Sequence, residues 1–112
     1  MIHFFALLFI FVGLLMVGIS VNMILGYIKP NNLVGFRTEK TLSSDAVWYP
    51  ANEYAGKWLF GLGIGQVAIA MMVLLVPIAH DNFVLYAGVN TMALLVGTIT
   101  MTFSSVAYSE KL

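Results

Sequence analysis

The side chains able to move protons, attack a carbonyl or hold a metal are few in this chain, and their spacing does not suit that work. Glu39, Asp45 and Glu53 fall in one polar stretch between apolar runs, without the i, i+3 or i+4 spacing that puts ligands or an acid/base pair on one helix face. His3 and His80 sit at the far ends of apolar runs with only Asp81 as acidic company, a setting that suits interfacial residues better than metal ligands. Ser43 and Ser44 lie in the polar stretch, so a Ser/His pair would have to reach across a membrane. The chain has no cysteine, which removes thiolate catalysis, disulfides and Cys-ligated metal sites. The expectation is a protein that is not an enzyme and that carries no metal and no cofactor.

The elements that position these residues are apolar. Of 112 residues, 61% are hydrophobic and 9% charged, too little polar material to coat a water-soluble fold of this size. Apolar runs over about 2–28, 58–79 and 83–107 each reach the roughly 20 residues that a helix needs to cross a hydrocarbon core. None of them carries a Lys, Arg, Asp or Glu, so the 3.6-residue charge pattern of a soluble amphipathic helix is missing. The fold expected is therefore an all-α membrane protein: one domain over 1–112, three transmembrane helices, and a connection over 29–57 that contains a short helix. A cleaved signal peptide fits the first run poorly, because it lacks a basic start and a small-x-small cleavage site.

Basic residues set the expected orientation. Lys29, Arg37, Lys40 and Lys57 lie in the first connection and Lys111 in the C-terminal tail, while the second connection, AHDN, has none. Three spans put both basic regions on one side, which the positive-inside bias makes cytoplasmic, in a cell membrane with the N-terminus outside. Net charge is zero, so bulk electrostatics argue for neither nucleic acid nor an acidic substrate.

Small and polar residues inside the runs point to helix packing. Gly61 and Gly65, four apart in WLFGLGIGQ, would let another helix approach closely. Asn22 and Gln66 lie at depths differing by only about 4 to 5 Å, which suggests an amide–amide bond between the first and second spans. Asn90 can be satisfied at the interface or by a partner helix, and Pro77 ends or bends the second span before AHDN. Oligomerisation around the Gly61 and Gln66 face would make a small transporter or channel. That is the alternative function, and a flux assay in liposomes separates it from the others.

The connection PNNLVGFRTEKTLSSDAVW holds the remaining signal. Pro30 blocks further helix, so the first helix is expected to stop at Lys29, with Asn31 and Asn32 in the turn. Gly35 permits a positive φ and places Phe36 and Arg37 in a corner, the ring dipping into the interface and the guanidinium staying wet. Thr41, Ser43 or Ser44 can cap a short helix that carries Val47, Trp48 and Tyr54 to the membrane surface, with Trp48 anchored at the headgroups. Pro50 either takes an early helical position or splits that segment.

The ordered set Pro30-Asn31, Gly35-Phe36-Arg37-Thr38, Thr41-Leu42-Ser43, Val47-Trp48, Asn52 and Ala55-Gly56-Lys57 resembles the SdpI family of small bacterial membrane proteins. The likeness is close over about 20–75 and continues as hydrophobic pattern elsewhere. It implies a protein that confers immunity against, or senses, a secreted killing peptide. It also implies, as for one type member, sequestration of a transcriptional repressor at the membrane. Partners would then be the lipid bilayer, a toxic peptide and a cytoplasmic repressor, with no direct nucleic acid contact and with self-association open. Two departures matter: larger members have extra N-terminal spans, and Pro50 stands where a continuous helix would run.

Overall fold

The computed structural model describes the backbone of residues 2–75 and 82–112. Pro77, His80 and Asp81, and the side chain of His3, lie outside the described residues. Four helices follow one another: α1 (Ile2–Ile24), α2 (Glu39–Leu42), α3 (Asp45–Leu75) and α4 (Phe83–Glu110). No strand occurs among the described residues. Three of the helices are long and apolar enough to cross a membrane, as expected from the runs of the sequence. A short helix lies between the first and second of them.

Two boundaries differ from the sequence expectation. The first helix ends at Ile24, five residues before Lys29, and the cause is Gly26 rather than Pro30. Gly26 takes φ +76°, and its N–H donates to Met23 O (3.3 Å) while the Tyr27 N–H donates to Asn22 O (2.9 Å). That pair of bonds is the Schellman arrangement, which closes a helix through a left-handed glycine. The second long helix starts at Asp45 and runs 31 residues without a break, so about half of the 29–57 connection is its N-terminal extension. Pro50 sits in the second turn of α3; the bond it forgoes is the one to the Ala46 carbonyl, on a residue whose surface is open.

α1 and α3 form the tight pair. A methyl group at Gly63 would lie 2.9 Å from Gly13 O, and one at Gly13 would lie 2.9 Å from Gly63 O, so the two backbones touch where each lacks a side chain. Gly56 repeats the device nearer the motif end, against Ser20 O, Met23 and Ile24. The expected packing pair, Gly61 and Gly65, does not do this: nothing lies within 4 Å of a methyl group at either. Gly63 stands two residues from each, roughly 200° around the helix, so the face that meets α1 is the opposite one. α4 packs on the other side of α3, where Gly97 receives the Leu62 side chain and the Tyr86 hydroxyl donates to Ile69 O (2.7 Å).

The Asn22–Gln66 bond is also absent. Asn22 is exposed and its amide donates to Gly18 O (2.8 Å) within α1, whereas Gln66 is buried on α3 beside α4. The two amides are not level: Gly56 of α3 meets Ser20, Met23 and Ile24 of α1, and Gly63 meets Gly13, Met16 and Val17, so Asn22 lies toward the corner and Gln66 beyond Gly63, away from it.

Candidate functional site

The connection folds back onto the N-terminal extension of α3 and forms a corner at 35–38. Its first fixture is Asn31. The Oδ1 atom accepts from the N–H groups of Leu33 and Val34 (2.7 Å each), and Nδ2 donates to Lys29 O (2.6 Å) and Val34 O (3.0 Å). One side chain thus replaces the backbone ladder that a loop lacks, which is the chemistry that makes Asn a turn residue. Pro30 and Leu42 stay exposed.

The second fixture is Asn52, fully buried on α3. Its Oδ1 accepts the Phe36 N–H (2.7 Å), and its Nδ2 donates to Phe36 O (3.3 Å) and to Trp48 O (2.9 Å). The amide therefore pairs with both polar groups of the Phe36 backbone, as a neighbouring strand would. Gly35, with φ +113°, makes this approach possible, since a methyl group there would stand 2.8 Å from Asn52 Oδ1 and 3.2 Å from the Trp48 ring. Phe36 then turns toward the helices, lining an apolar cavity of about 160 Å³ with Ile19 and Met23 of α1, Ala55 and Leu59 of α3 and Met101 of α4.

Trp48 is the third fixture and corrects an expectation. It is 0% exposed, and its indole N–H donates to Ile28 O (2.8 Å), so it anchors the chain leaving α1 instead of reaching lipid headgroups. The short helix is not the one that carries Val47, Trp48 and Tyr54: those residues lie on α3, which starts directly after Ser44, and α2 precedes it with Thr38 as its cap. The Thr38 side chain accepts from Thr41 N (3.1 Å), while the Thr41 hydroxyl accepts from Thr38 N (2.7 Å), a reciprocal box at the start of α2. Thr41 is buried and Ser43 closes the other end. Tyr54 stacks on Tyr108 with ring centroids 4.3 Å apart, tying α4 to the same end of the bundle.

Arg37 is the exposed member of the corner. One guanidinium nitrogen donates to Asn32 O, and among the described residues its side chain has no carboxylate partner. The ion pair nearby is Lys57 with Glu53 (3.4 Å), one turn apart on α3 and open to solvent. Thus Asn31, Gly35, Phe36, Trp48 and Asn52 converge on one corner, Thr38 and Thr41 build its exit, and Gly56 fits α3 to α1 beneath it. Gly26, Ile28 and Asn32 belong to the arrangement but act through backbone groups; of these only Gly26 leaves a mark in side-chain chemistry. No group of three or more His, Asp or Glu side chains able to hold a metal occurs among the described residues.

A family model described as the SdpI/YfhL protein family matches residues 27–109, most of the chain. The chain belongs to the SdpI/YfhL family. The match begins at the Tyr27 end of the Schellman turn and takes in the whole corner, α3 and nearly all of α4. Searches among curated proteins and among solved structures returned no match.

Proposed function

We propose that this SdpI-family membrane protein gives immunity to, or senses, a toxic secreted peptide, with membrane sequestration of a transcriptional regulator as its signalling route. Membership of the family supports the reading, together with one observation. The 35–38 corner is held from behind by Asn52 and Trp48, while Arg37 spends one donor on Asn32 O and keeps the rest of its fork in solvent. A guanidinium mounted on a fixed backbone is suited to a carboxylate or a set of peptide carbonyls on a partner, because its donors are planar and pre-arranged.

The orientation belongs to the same proposal. Lys29, Arg37, Lys40, Lys57 and Lys111 all fall at one end of the three-span arrangement, which the positive-inside bias makes cytoplasmic, so residues 29–57 and the C-terminus face the cytosol and the N-terminus faces out. The test is expression in a strain sensitive to a secreted killing peptide. Survival should rise with the amount of protein in the membrane, and unchanged killing at high membrane levels, across a panel of such peptides, would refute immunity.

A further inference from the structure

We propose that the turn at Leu33 and Val34 is a membrane anchor, its two side chains entering the headgroup region of an anionic leaflet on the side where α1 ends. Leu33 is 86% exposed, more than any other large hydrophobic side chain among the described residues, and it lies outside the three spanning helices. Val34 and Tyr27, in the same connection, are also exposed. The turn runs back toward the bilayer. Ile28 O is held by the Trp48 indole, whereas Phe36 is held by Asn52, one turn of α3 nearer the part of that helix that crosses lipid. Phe36 also lines the cavity walled by Ile19, Met23, Leu59 and Met101, all on spanning helices. Leu33 stands three residues before Phe36, at most about 10 Å away along the chain, so its side chain is within reach of the level where those spans meet the headgroups.

The backbone of the turn is prepared for that setting. An apolar environment penalises every unpaired peptide group, and Asn31 has already paired most of those at the tip. Its Oδ1 takes the N–H groups of Leu33 and Val34, and its Nδ2 donates to Val34 O. The side chains can therefore enter without carrying bare amides with them, and the turn keeps one shape whether in or out. Charge selects the lipid. Over residues 25–38 the charged side chains are Lys29 and Arg37, both basic and both exposed, and there is no Asp or Glu. An apolar tip between two cations fits a leaflet that carries negative phosphates above its acyl chains. Lys29 supplies the phosphate contact, and Arg37 adds charge at the other flank while its fork stays in solvent.

The chain has no cysteine, so a single nitroxide label reports depth directly. Leu33→Cys and Val34→Cys replace exposed side chains whose residues bond through the backbone, so neither change disturbs the turn. The full chain, labelled at one of these positions, is placed in vesicles of phosphatidylethanolamine and phosphatidylglycerol and measured by power-saturation EPR. Both labels should collide more often with dissolved oxygen than with a water-soluble nickel chelate, and a label at Ser44→Cys, on the exposed approach to α3, should do the reverse. Exchanging phosphatidylglycerol for phosphatidylcholine should move the turn labels toward the Ser44→Cys value, and Lys29→Gln should do the same in the anionic vesicles. Turn labels as open to the nickel chelate as the one at position 44 would overturn the proposal and leave the turn free for a protein partner. Equal depth in anionic and neutral vesicles would overturn the choice of anionic lipid.

Discussion

At the scale of single residues, Gly35 and Arg37 divide the labour of the corner between fit and contact. Gly35 carries the backbone through φ +113° and keeps its empty side against Asn52 Oδ1. A β-branched side chain there combines a conformation that costs about 1 to 3 kcal/mol with a collision against a buried amide. Arg37 contributes little to holding the corner, since its one bond goes to an exposed carbonyl. Replacement by Lys keeps the charge, and with it the attraction to anionic lipid of about 1 kcal/mol, but removes the planar fork. Gly35→Val and Arg37→Lys should therefore each abolish protection against the cognate peptide while the protein still accumulates in the membrane, as read by survival beside immunoblots of membrane fractions. A protective Arg37→Lys variant would reduce this residue to a positive-inside charge.

Among the elements, α1 and α3 depend on bare backbone at Gly13, Gly63 and Gly56, whereas Gly61 and Gly65 face open space. Gly63→Ala should destabilise the folded protein by about 1 to 3 kcal/mol, because the methyl group meets a carbonyl that cannot rotate away. Gly61→Ala and Gly65→Ala should be neutral or stabilising, by up to about 1 kcal/mol, through helix propensity. Reversible unfolding in mixed micelles measures all three, and equal losses would mean that the glycine faces are misassigned. Three spans are legible in the sequence because unbroken apolar length is a one-dimensional signal, and a short helix because the connection is rich in Thr and Ser that can cap one. The sequence does not show which way a residue faces around its helix, so the spacing points to Gly61 and Gly65 and not to Gly63, and it does not show how far α3 extends below the apolar run, so Asn22 and Gln66 read as level when the register of α1 on α3 sets them apart. Helix ends were hidden for a related reason. Tyr27 and Ile28 extend the apolar run past the point where Gly26 has already turned the chain, and the polar start of α3 reads as loop when only lipid-compatible residues are counted. The corner was legible as a pattern of residue types, but its bonds were not, since Ile28 and Asn32 take part through carbonyls that every residue possesses.

For the whole molecule, orientation governs how every other role is read. With Ser44→Cys, an impermeant thiol reagent should label the protein only after the membrane is opened, whereas Asp81→Cys should be labelled in intact cells; the reverse pattern would move the corner outside. The distribution of contacts also sets an order of assembly. The corner's bonds run backward along the chain: Ile28 O waits for the Trp48 indole, 20 residues later, and Phe36 waits for Asn52, 16 residues later. A ribosome delivers residues in one direction, so the segment from Tyr27 to Thr38 emerges after α1 and before its Trp48 and Asn52 partners. The start of α3 is thus the template on which an earlier segment takes shape. Because α3 continues without interruption toward the opposite side of the bilayer, the strand of peptide that shapes the corner is the same one that next has to enter the translocon.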